Sequence, residues 1–109
     1  MEIIISLSKI NYSSLFLEVC VDTKLTTKAW GQEVSWTFGS CESAAQGSYV
    51  DNQEYPERCC LTPGEYTLTC KDSYGDGWHG GFIEIQGNKY CEDFGGSVVT
   101  KQVTIAGIY

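Results

Sequence analysis

A chain of 109 residues with a formal net charge of −7 is long enough for one domain with one modest core. The acidic balance argues against nucleic acid and against anionic membrane as partners, and it is compatible with divalent cations. No run of eighteen apolar residues occurs, so no helix inserted in a membrane is expected.

Strand patterns dominate from the start of the chain. Ile3 to Leu7 reads as a strand, and residues 1–12 form an extra edge strand or an arm for self-association. This start lacks the basic residues and long apolar run of a signal peptide, so a mature chain or one module of a longer secreted protein is expected. Asn11-Tyr12-Ser13 is a glycosylation sequon, with Asn11 the acceptor. In Ser14 to Val21, period two puts Leu15, Leu17, Val19 and Val21 on one face. Glu33 to Gly39 alternates Val34, Trp36 and Phe38 against Glu33, Ser35 and Thr37. Ser43 to Tyr55 is polar and reads as a long surface loop.

Thr62-Pro63-Gly64-Glu65 then fits a tight turn. Tyr66, Leu68 and Cys70 share one parity, as do Ile83 and Ile85. Gln86-Gly87-Asn88-Lys89 fits a hairpin turn, and Phe94 to Ser97 is a second break. Val99, Lys101, Val103 and Ile105 share the last apolar face, where Lys101 marks a sheet rim. Seven or eight short strands with glycine-rich turns predict an all-β, antiparallel β-sandwich spanning residues 1–109. Trp36, Phe38, Leu68, Ile83 and Ile85 are the predicted core, each contributing about 1.5–3 kcal/mol when buried.

Six cysteines, Cys20, Cys41, Cys59, Cys60, Cys70 and Cys91, read as a disulfide framework formed in an oxidising, extracellular compartment. Adjacent Cys59 and Cys60 are too close for a relaxed bridge to each other. Neighbouring side chains on a strand point to opposite faces, so the two are expected to reach different partners. The absence of any Cys-x-x-Cys pair, with His79 the single histidine, argues against a zinc site.

The most informative stretch is Lys71-Asp72-Ser73-Tyr74-Gly75-Asp76-Gly77-Trp78-His79-Gly80-Gly81. It places Asp72 and Asp76 four residues apart among four glycines, between two strand-like runs. Calcium takes six to eight oxygens, which carboxylates and turned carbonyls supply. Counted from Asp72, the EF-hand pattern is met at Asp72, Asp76 and Gly77 and fails at Tyr74 and Ile83, and the flanks are strands. Two readings stand: a calcium loop unrelated to EF-hands, or a hairpin whose Asp side chains cap their own amides.

Trp30, Tyr74, Trp78, His79 and Tyr90 are not accounted for by the core. Tyr74, Trp78 and His79, beside the glycine loop, are candidate ligand-binding residues that would stack on a sugar ring. The alternative is that Trp78 folds back as a lid on the sandwich end, since Trp is highly buried on average. Catalysis is not expected, because the single histidine lies in the glycine loop and the cysteines are oxidised, which leaves no nucleophile beside a base.

Three segments taken together resemble a recurring extracellular module. They are Trp30-Gly31-x-Glu33-x-Ser35-Trp36, Cys60-Leu61-x-Pro63-Gly64-x-Tyr66-Thr67-Leu68 and Asp72-Ser73-Tyr74-Gly75-Asp76-Gly77-Trp78. The module is found in secreted, cell-surface and protease-associated proteins. It looks like a β-sandwich of the jelly-roll, CUB-like or pre-peptidase C-terminal-like kind. The resemblance covers roughly residues 27–94. Residues 1–26 fall outside it, and Cys59 doubles a position where one cysteine is usual.

The resemblance implies a non-catalytic adhesion or matrix role in contact with an extracellular protein or glycan. It also implies that calcium is held by acidic residues from separate loops, which adds Glu33 to Asp72 and Asp76. Two alternatives accompany this expectation: a carbohydrate-binding module, and a self-assembling fibre subunit that pairs through the apolar first strand.

Overall fold

The structure, a computed structural model, describes residues 2–5 and 17–107, the first four as backbone only. Asn11 and Leu15 lie outside the described residues, as does most of the 1–12 arm. The strands in chain order are β1 (Glu2–Ile5), β2 (Leu17–Thr26), β3 (Val34–Phe38), β4 (Cys41–Glu42), β5 (Glu54–Leu61), β6 (Gly64–Asp72), β7 (Phe82–Ile85), β8 (Asn88–Tyr90) and β9 (Val98–Ile105). All pairings among them are antiparallel.

Two sheets result, and the chain is the all-β, disulfide-stapled sandwich its pattern predicts. In the five-stranded sheet, β5 covers one edge of β2 from Val19 to Thr26. The other edge is shared end to end by β1, on Leu17 to Cys20, and β7, on Thr23 to Thr26, with β8 outside β7. The four-stranded sheet runs β4-β3-β6-β9. β1 is therefore paired within its own chain. Among the described residues there are nine strand segments beside the seven or eight predicted, since two-residue β4 and three-residue β8 are too short to show a period.

Period-two faces build the core. Val19, Val21, Thr23 and Leu25 of β2 meet Val34, Trp36 and Phe38 of β3, Leu68 and Cys70 of β6, and Ile83 and Ile85 of β7. All five predicted core residues are buried. Leu17, on the same parity, is exposed at the start of β2. The predicted 43–55 loop is shorter than expected, since β5 begins at Glu54. β5 escapes sequence reading because it is polar, carries Pro56 and buries only Cys59 and Leu61. Proline is tolerated there because β5 lies at a sheet edge.

The disulfides pair Cys20–Cys60, Cys41–Cys59 and Cys70–Cys91. Cys59 and Cys60 reach different partners from opposite faces of β5, as alternation requires. Cys20 and Cys60 are direct cross-strand neighbours on the outer face of one sheet. Cys59 points inward and crosses to β4 of the other sheet, and Cys70 crosses from β6 to the residue after β8. Each bridge contributes about 2–4 kcal/mol, a large share for a domain of this size. Among the described residues no helix is long and apolar enough to cross a membrane.

Candidate metal centre

Strand parity carries β6 to a carboxylate. Tyr66, Leu68 and Cys70 face inward, and the next residue of that parity is Asp72, only 3% exposed. Asp72 lies opposite Val34 in the β3–β6 ladder. This register puts Glu33, one residue before β3, beside the end of β6, where its carbonyl accepts from Ser73 N at 3.0 Å. Glu33 closes a single 3-10 turn from Gly31, with its N–H bonded to the Trp30 carbonyl at 3.0 Å. That turn is tied to the neighbouring loop, since Gly31 N donates to Asp51 Oδ1 at 2.7 Å.

After Asp72 the chain coils back over its own carboxylate. Asp72 Oδ2 accepts from Gly75 N and Asp76 N, both at 2.7 Å. The self-capping reading of the loop therefore holds for this one oxygen. The other oxygen, Oδ1, is buried without a hydrogen-bond partner, as is Glu33 Oε1. Asp76 returns toward this point, and its Oδ2 lies 3.2 Å from His79 Nε2. Among the described residues, Glu33, Asp76 and His79 each bring one ligand atom within 4.8 Å of the others.

The loop is held from outside by two clamps. Trp78 is 1% exposed, its indole N–H bonds the Lys71 carbonyl at 2.8 Å, and Phe94 meets its ring edge-on at 5.6 Å. Gly77 N donates to the Gly96 carbonyl at 3.1 Å, and Asp72 N to that of Ser97 at 2.8 Å. A β-carbon at Gly77 would overlap the Phe94 carbonyl.

Electrostatics set the two inner carboxylates against each other. Burial pushes Glu33 above its ordinary range, and the neighbouring Asp72 and Asp76 carboxylates push the same way, with His79 opposing. Burial acts to raise Asp72 too, but the N–H donors of Asp76 and Gly75 win and hold it below its usual value. Without a cation, Asp72 keeps its charge and Glu33 bears the cost of the crowding. In that state Glu33 and Asp72 are held together by a proton between their carboxyl groups, and a divalent cation would take the place of that proton.

The structure thus brings together Asp72, Asp76 and Glu33, with His79 added. Of the two readings given for Trp78, sugar contact and lid, its position matches the lid: the side chain is 1% exposed, with no ring face open to a sugar. Tyr74 is 78% exposed and Trp30 52%. His79, read as a sugar contact, instead faces the carboxylates. The sequence signal for that placement was its position three residues after Asp76 in a tightly coiled, glycine-rich segment. Neither a scan against protein-family models nor searches of curated proteins and of solved structures finds a match to this chain.

Proposed function

We propose that this chain is a non-catalytic extracellular module that mediates protein contacts in an adhesion or matrix setting, with its 72–81 loop held by calcium. The observation that carries the cation is the pair of buried, unpartnered oxygens, Asp72 Oδ1 and Glu33 Oε1. Three disulfides support the oxidising compartment. Exposed Trp30 and Tyr74 support the contact role, since each lies within three residues of a site carboxylate and surface aromatics are favoured in interfaces. The resemblance to CUB-like modules gives the same role.

A bound cation would bridge the end of β3 to the 72–81 loop and fix how Tyr74 is presented. Calcium titrated calorimetrically into the protein and into the double variant Asp72→Asn/Asp76→Asn tests this. Binding to the parent that is lost in the variant is expected, and equal heats from both would remove the idea. The carbohydrate reading keeps Tyr74 but loses the Trp78 ring, so it ranks second.

A further inference from the structure

We infer that His79 Nε2 is itself a ligand in this centre, and that the centre therefore takes a zinc-class transition ion in preference to calcium. The inference rests on the cation-held loop proposed above and puts a zinc-class ion ahead of calcium as the tighter of the two ions that loop takes.

Donor chemistry and donor spacing argue for it together. His79 Nε2 and Asp76 Oδ2 lie 3.2 Å apart. Two donors each about 2.1 Å from one zinc ion are separated by about 3.0–3.4 Å, depending on the angle at the metal. The histidine–aspartate pair thus already has the spacing of two neighbouring ligands. Glu33 offers its third donor within 4.8 Å of both. The observation independent of this cluster is Asp72, 3% exposed, whose Oδ1 has no partner and whose carboxylate lies against that of Glu33.

The donor count points the same way. Asp72 Oδ2 is occupied by two backbone N–H groups, so it is not free to help form a bidentate oxygen pair. Glu33, Asp76 and His79 bring two carboxylates and one imidazole to one point, three protein donors that suit a four-coordinate ion with one open position. Calcium needs six to eight oxygens and does not favour nitrogen, whereas imidazole suits zinc and its neighbours.

Because the chain has a single histidine, its ring resonances report on one site. Zinc chloride and calcium chloride, titrated separately into the disulfide-intact protein, are followed by calorimetry and by imidazole NMR. Zinc is expected to bind more tightly than calcium and to shift the ring resonances, which calcium leaves in place. His79→Gly is the chosen variant, because glycine adopts the +53° φ of this position freely and the loop keeps its backbone. It is expected to lower zinc affinity by about 10–100-fold or more.

Zinc affinity unaltered in His79→Gly, or ring resonances unmoved by zinc, overturns the inference. A calcium response that is still lost in Asp72→Asn/Asp76→Asn then leaves the calcium-held loop standing. No heat from either ion with the parent protein overturns both.

Discussion

Two glycine-bearing bends, fifteen residues of chain apart at most, use glycine for different physical ends. At the tip between β7 and β8, Gln86 and Gly87 both have positive φ, 53° and 80°, and nothing lies near the position a Gly87 β-carbon would take. Glycine there serves the handedness of a two-residue hairpin turn and nothing else. In the 72–81 loop, Gly77 also has positive φ, 81°, but it is pressed against the backbone of Phe94. The second bend is packed on both sides and coiled around a carboxylate, while the first stands in solvent. A glycine's cost of replacement therefore depends on what surrounds it more than on its own dihedral angles.

Substitutions sharpen that contrast in graded steps. Trp78→Ala removes the lid from the packed loop and should cost about 3–5 kcal/mol in chemical denaturation. A cost under about 1 kcal/mol would mean that the loop is not part of the core. Gly77→Ala combines a left-handed residue with a backbone overlap and should cost about 2–4 kcal/mol. Gly87→Asn, at the open tip, should cost less than about 1 kcal/mol, since Asn tolerates the left-handed region. Equal losses at Gly77 and Gly87 would break the comparison.

A prediction of opposite sign belongs to the carboxylates. Glu33 has its folded-state value raised, chiefly by burial and then by Asp72. In chelator, the protein should therefore lose stability as pH rises from the ordinary glutamate range through the raised one. Glu33→Gln should flatten that limb and raise the melting midpoint in chelator, yet abolish the rise that added cation gives the parent. Thermal melts at several pH values, with and without cation, measure both effects. A lower midpoint for Glu33→Gln in chelator would refute the crowding described above.

Period-two alternation was enough to read the first half of β2, to Val21, and β3, β6, β7 and β9, because each buries one face and exposes the other. β5 was invisible, since its place comes from pairing with β2 and from its two cysteines, not from an apolar face. Asp72 and Asp76 were legible as oxygen donors from their spacing among glycines. Glu33 entered only through family resemblance, because the β3–β6 register that brings it to Asp72 is a long-range fact. Trp78 was ambiguous for the same reason: only the position of Phe94 decides which way its ring turns.

The back-to-back thiols of β5 have a consequence for how the chain finds its native state. Exchanging their partners, Cys20 with Cys59 and Cys41 with Cys60, would require β5 to slide by one position along β2. Such a slide turns Leu61 out to water and brings a charged neighbour inside. A strand with so little apolar content has few other means of rejecting that error. Oxidative refolding should accordingly produce a mis-bridged isomer of this pair that thiol exchange removes, with the cysteines acting as a proofreading ruler for the strand that carries them.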